Sequence, residues 1–348
     1  MPYDISMLTP SPAFPPRIAA ALGIAYGLLP VLIIALIAWE IGVLIPILGG
    51  PVAAILIGLA VGQVFGQRKE WASGKTFASK IILQASIVLL GAGMSLWQVA
   101  TIGRAGLPVM IGTLVICVAA GIVVGRALGV ERDTRILITY GTAICGASAI
   151  ATMSAVIGAA GPAIAISVTV IVVYNVLAAV LFPMLGHLLG LSEPAFGLWA
   201  GTAINDTSSV VAAATVFGVV AASYAVVVKL TRTLAIVPLA LFQTWFQNRG
   251  LPETERKSTA WYRLIPLFLI LFLVAVLIQT AGIIPPAWND TIRFLAYFGI
   301  TAAMAAVGMS SSFAAIRDAG WRPVVLGGIL WVLVAVSSLL LQALFGLL

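Results

Sequence analysis

Apolar residues run through this chain in long unbroken blocks, not in the two-residue alternation of a half-buried strand. Eleven blocks are long enough to cross about 30 Å of hydrocarbon as helices. They predict spans at 17–39, 46–66, 79–97, 107–128, 135–158, 163–186, 195–218, 221–246, 264–284, 291–309 and 322–346. The fold expected is all-α, a polytopic membrane protein with a single transmembrane transporter domain over 1–348 and no soluble domain between spans. A short Pro-rich start, "MLTPSPAFPP", precedes the first block, and another span follows it at once, so it reads as a retained helix and not a cleaved signal.

Composition agrees: 62% of residues are hydrophobic and 8% charged, where a soluble domain has about 25% charged. Cys117 and Cys145 both fall inside predicted spans, with no CxxC and no neighbouring His, so neither a disulfide framework nor a zinc site is expected, and no cofactor. A net charge of +7 on a soluble chain would raise the question of nucleic acid; here it is first sorted by side. Alternating the eleven spans puts fourteen Lys and Arg on one side and only Arg104 and Arg293 on the other. The positive-inside rule then places the N-terminus in the cytoplasm and the C-terminus outside, with lipid and not nucleic acid as the surrounding partner.

Three charges remain inside the apolar blocks: Lys229 and Arg232, on one helix face at i and i+3, and Asp206. A charge at that depth costs at least about 2.5–3.5 kcal/mol, so each needs a partner. A salt bridge to Asp206 accounts for one cation and leaves the other uncompensated. A small inorganic or organic anion that comes and goes is the simplest further partner.

Two self-similarities run through the chain. "LLGAGMSLWQVATIGRAGLPVMIG" (89–112) recurs as "MAAVGMSSSFAAIRDAGWRPVVLG" (304–327), an odd number of spans apart, which predicts an inverted repeat. "GTAICGASAIATMSAVIGA" (141–159) recurs as "GTAINDTSSVVAAATVFGV" (201–219), two spans apart and so in the same direction, outside any one simple duplication. Gly141, Gly146, Gly201 and the run Thr207, Ser208, Ser209 weaken a helix or cap a new one, which predicts discontinuous helices at the midplane with second halves starting near Ala147 and Thr207. Their free N–H groups suit an oxyanion, helped by the hydroxyls of Thr142, Ser148, Thr207 and Ser208. Close packing of Gly141, Cys145 and Ala149 explains the first segment equally well. The substrate-binding set expected is Thr142, Gly146, Ala147, Ser148, Thr207, Ser208, Ser209, Lys229 and Arg232, with Asn205 and Asp206 for a coupling ion.

At "YGTAICGASAI" (140–150), "WAGTAINDTSSVVAAA" (199–214) and "VVKLTR" (227–232) the sequence resembles the YeiH-type family of bacterial inner-membrane proteins, and the span pattern fits over nearly the whole chain. The resemblance implies sulfate export. Family members often carry His immediately before the Asp, where this chain has Asn205; proton coupling would then fall to Asp206 alone.

The function expected is a secondary transporter of a small oxyanion, sulfate or a sulfonate-like solute, by alternating access. No GxxxxGK[ST] motif is present, so gradients or a partner protein supply the energy. The alternative is a sodium or proton antiporter in which Asp206 binds the ion, since Asn205-Asp206 resembles the Asn-Asp pair of such proteins. An enzyme is not expected: intramembrane aspartyl proteolysis needs two aspartates, and the one histidine, His187, sits at a loop. Discontinuous helices also line channels, which saturable exchange would distinguish.

Overall fold

The structure is a computed structural model that describes residues 16–45, 49–66, 68–249, 264–311, 317 and 319–348. The Pro-rich start, Arg256, Lys257 and Arg263, and positions 312–316 of the second repeat copy lie outside the described residues. Among the described residues every regular element is a helix. Six helices are long and apolar enough to cross a membrane: Ala21–Leu44, Leu96–Ala127, Gly161–Leu188, Val219–Gln247, Pro286–Ser310 and Trp321–Leu344. We number the helices α1 (Pro16–Leu44), α2 (Gly49–Phe65), α3 (Ala72–Phe77), α4 (Leu83–Gly91), α5 (Leu96–Ala127), α6 (Arg132–Ala143), α7 (Ala147–Ile157) and α8 (Gly161–Leu188). They continue as α9 (Glu193–Ala203), α10 (Thr207–Phe217), α11 (Val219–Thr233), α12 (Ile236–Asn248), α13 (Leu267–Thr280), α14 (Asn289–Ser310) and α15 (Trp321–Leu344). A π-helical turn, Ala78–Ile82, joins α3 to α4.

Two of the expected spans, 135–158 and 195–218, do not run straight through the bundle; each is a helical hairpin. Phe217, at the end of α10, stacks on Phe196 near the start of α9 with ring centroids 3.8 Å apart, and on His187 at the end of α8 at 4.3 Å. In one straight helix residues 196 and 217 would be about 30 Å apart. The carboxylate of Glu193 closes the mouth of this hairpin, accepting from the backbone N–H of Val220 at 2.7 Å and of Ala221 at 3.1 Å, and a side chain at Gly218 would collide with it.

The first hairpin follows from its neighbour. Ser167 of α8 donates to the carbonyl of Thr134 at 3.4 Å, and Ile171 lies against Gly141, so α6 and α8 run in the same direction. The chain has to return between them. It does so at Ile144–Gly146, where Gly146 takes φ 69° and ψ −127°, a conformation that favours glycine, and Ile150 of α7 folds back onto Gly141.

The charge sorting does not register this difference. No Lys or Arg lies between Arg135 and Lys229, so moving the loops on either side of α8 from one side to the other changes no count. The hairpins also change the second self-similarity: the two GTAI segments enter the bundle from opposite ends and meet tip to tip, where reading both as spans made them run in the same direction. At the meeting point Gly146 lies against Asp206.

The core divides into two apolar clusters. One gathers α6, α7, α12 and α15, and the other α1, α2, α4, α13 and α14; α5, α8, α9, α10 and α11 contribute to both. Trp199 and Thr202 tie α9 to α15 by bonds to the Ala335 carbonyl at 2.9 Å and the Ser338 hydroxyl at 2.6 Å.

Candidate functional site

The two hairpin tips form the candidate site, and at each the carbonyl end and the amino end of the broken helix meet different neighbours. The carbonyl ends of α6 and α9 point toward α11. There Lys229 Nζ donates to the carbonyl of Ile144 at 2.9 Å and to that of Ile204 at 2.8 Å, while Arg232 Nε donates to the carbonyl of Ala143 at 2.6 Å. Ile144 and Ile204 are the same position of the two GTAI copies, so one amine holds both tips by equivalent atoms. Lys229 is 0% exposed and Arg232 2%.

These contacts give the intramembrane cations a partner other than the anion that the charge count asks for. Three carbonyls at helix C-terminal ends, where the backbone dipoles leave partial negative charge, receive Lys229 Nζ and Arg232 Nε, while Nη1 and Nη2 of Arg232 are buried without a hydrogen-bond partner. Among the described residues neither cation meets a carboxylate, so the salt bridge to Asp206 is also not formed.

The amino ends of α7 and α10 instead border a cavity of about 490 Å³ between the hairpins and α4 and α14. Ala147, Ser148, Asp206, Thr207, Ser208 and Ser209 line it. Six of the eleven expected site residues therefore meet around one space. Thr142, Gly146 and Asn205 are buried in the tips, and Lys229 and Arg232 sit behind them, outside the lining.

The two amino ends differ. Asp206 is the N-cap of α10, its Oδ2 accepting from the Ser208 N–H at 3.0 Å and from the Ser208 hydroxyl. Its own N–H donates to Asn175 Oδ1 of α8 at 3.0 Å. Gly146, at the matching place before α7, has no side chain and supplies no cap. Ala147 and Ser148, whose N–H groups have no intrahelical carbonyl, thus line the cavity, while the N–H of Ala149 is turned to the Cys145 sulfur. Ser209, 1% exposed, has a hydroxyl without a partner, as do Thr142 and the Oδ1 of Asn205 within the tips.

Sequence reasoning missed part of the lining. Ser79 and Lys80 of the π-helical turn, Gln84 of α4, Asn175, and Ser310 and Ser311 at the end of α14 complete the cavity. Asn175 was detectable as the one amide in the apolar block 163–186, and Ser310 belongs to the repeated "GMS". Ser311 follows Ser310 in the same repeat copy, while Ser79, Lys80 and Gln84 come from the π-helical turn and α4, with no signal tying them to the GTAI segments. A second cavity, of about 450 Å³, lies between α10–α11 and α14 at the other end of the bundle and carries Asp290 and Arg293.

The comparisons with known proteins place this arrangement in a family. The family model described as conserved hypothetical protein 698 matches residues 26–327, which include both hairpins and α11. A UPF0324 membrane protein of Streptococcus pyogenes serotype M18 is 38% identical over 330 residues, covering 92% of this chain and 97% of its own. UPF0324 membrane proteins of Streptococcus agalactiae serotype V and Streptococcus pneumoniae serotype 4 are each 36% identical over 328 residues, with the same coverage. With matches running nearly end to end, the chain belongs to the conserved hypothetical protein 698 family of multi-pass membrane proteins, the YeiH-type group that its motifs resemble.

Proposed function

We propose that this protein is a secondary transporter of a small oxyanion, of the sulfate or sulfonate type, working by alternating access without chemical conversion of the solute. The observation that carries this reading is the amino end of α7, which has no N-cap side chain and brings Ala147 and Ser148 to a 490 Å³ cavity together with Thr207 and Ser209. A helix amino end carries roughly half a positive charge and N–H donors without intrahelical partners, the complement of an oxyanion.

Lys229 and Arg232 act at one remove in this reading. By neutralising the carbonyl ends of α6 and α9 they leave the cavity to the amino ends, and they hold the tips in register. Asp206 sits beside the anion position, where two negative charges would repel. A proton on Asp206 when the anion is bound removes that repulsion and couples the two.

In a bilayer the proposed arrangement is nine crossings with two hairpins re-entering from opposite faces, the N-terminus cytoplasmic and the C-terminus outside the bacterial inner membrane. Irregular backbone at membrane depth is tolerated where it lines a cavity, as the tips do. Each repeated motif would then be inverted with respect to its copy, in keeping with inverted-repeat transporters, though turn and tip follow in opposite order in the two halves of the chain.

The second reading, a sodium or proton antiporter, rests on Asp206 as the one carboxylate lining this cavity among the described residues. Purified protein in proteoliposomes separates the two. Uptake of labelled sulfate or sulfite that falls by about tenfold or more in Ser148→Ala, the size of one lost bond to a charged group, supports the oxyanion reading. Sodium or proton exchange that proceeds unchanged without any such anion overturns it.

A further inference from the structure

The place between the two tips is chemically a cation site. Carbonyls at the carboxyl ends of broken helices are the groups that, in transporters built this way, coordinate a sodium ion or a proton carrier. Here the Ile144 and Ile204 carbonyls converge from opposite hairpins, at 2.9 and 2.8 Å from Lys229 Nζ, and Arg232 Nε takes the adjacent Ala143 carbonyl at 2.6 Å.

We propose that the Lys229 side chain is a tethered cation in this position, standing where a free sodium ion would otherwise bridge the hairpins, so that the protein binds no sodium there and its turnover does not depend on sodium. Three features of the geometry support this. The amine bonds one carbonyl from each hairpin, as a bridging ion does. It is fully buried, so an ion does not share the space with it. Arg232 brings a second positive charge to the same carbonyl ends, which repels a mobile cation further.

The tether also has a structural consequence. A free ion has to be captured in each cycle before the tips are in register. Lys229, carried on the same helix as the closing residues Val220 and Ala221, holds them in register in every state of loading. Lys229 is a positioning residue in this account, and it determines which gradient drives the carrier. The inference deepens the oxyanion reading of the same site by excluding one coupling ion from it.

Full-length protein in lipid nanodiscs tests this directly. The thermal midpoint of the wild type is expected to be the same in sodium chloride and in choline chloride of equal strength. A saturable rise specific to sodium, or binding of labelled sodium at one ion per chain, overturns the proposal. Lys229→Ala is expected to melt lower and to recover by several degrees on addition of sodium or methylammonium, with no such response in the wild type. A folded Lys229→Ala protein that responds to neither also overturns it, and if that variant does not fold, the wild-type sodium measurements decide alone.

Transport separates this inference from the reading beneath it. Sulfate uptake driven by a sodium gradient and not by a potassium gradient overturns the tethered cation and leaves the oxyanion reading intact. Sodium indifference and methylammonium recovery without any sulfate or sulfite uptake support the tethered cation and overturn the oxyanion reading.

Discussion

Asp206 caps α10 with the same carboxylate that faces the cavity, and substitution separates the two duties. Asn caps a helix as well as Asp does, so Asp206→Asn is expected to keep its thermal midpoint while anion uptake loses its dependence on the proton gradient. Asp206→Ala loses the cap as well and is expected to be less stable by about 1 kcal/mol, read as a lower midpoint in the same lipid. Gly146 is constrained differently. Its φ of 69° is one that side chains rarely adopt, and an added Cβ would lie 3.3 Å from that of Asp206. Gly146→Ala is expected to cost about 1–3 kcal/mol and to weaken anion binding, measured by titration with sulfate. At this scale the sequence was informative: a carboxylate and two cations in apolar blocks are costly enough to single out candidate residues without any structure. Their partners were not legible, because the carbonyls that receive Lys229 come from residues 85 and 25 positions away along the chain.

The hairpins are the unit that organises the site. Each is two helices of 11 or 12 residues, which fits an element that goes partway into the bundle and returns. Glu193 fastens the second one by accepting two N–H groups at the start of α11, where an anionic side chain also meets the positive end of the helix dipole. Glu193→Ala is expected to destabilise the protein by about 1–2 kcal/mol, and Glu193→Gln by less, since the amide oxygen still accepts; thermal melts of both in the same lipid check the order. The places where the helices stop were visible as Gly146 and as Asn205-Asp206. Whether the chain goes on or turns back was not, because one glycine or one N-cap is compatible with a kink and with a reversal. The contacts that decide it, Phe196 on Phe217 and Thr134 with Ser167, join residues 21 and 33 positions apart.

For the whole molecule, the hairpin arrangement differs from eleven crossings in one measurable respect, the sidedness of the loops flanking α8. Ala160 and Leu188 are exposed and bound this helix. Ala160→Cys is expected to react with a membrane-impermeant maleimide from the side that also labels the 68–80 segment, and Leu188→Cys from the opposite side. Eleven crossings require the reverse for both. The native Cys117 and Cys145 are buried and do not compete for the reagent. Cavities of about 490 and 450 Å³ lie toward opposite ends of the bundle, with Arg293, one of only two cations on its side in the charge sort, lining the second.

By itself the sequence determined that this is an all-helical membrane protein, and it marked the GTAI segments, Asp206, Lys229 and Arg232 as candidates for the site. Burial of charge in hydrocarbon is so costly that composition and position alone reveal it. Only the tertiary structure decided that two apolar blocks fold back on themselves, that the two cations face carbonyl ends and the cavity faces amino ends, and that Lys80, Asn175 and Ser310 join the lining. Those outcomes depend on which way a helix runs after it breaks, and in this chain no charged loop between Arg135 and Lys229 records the direction.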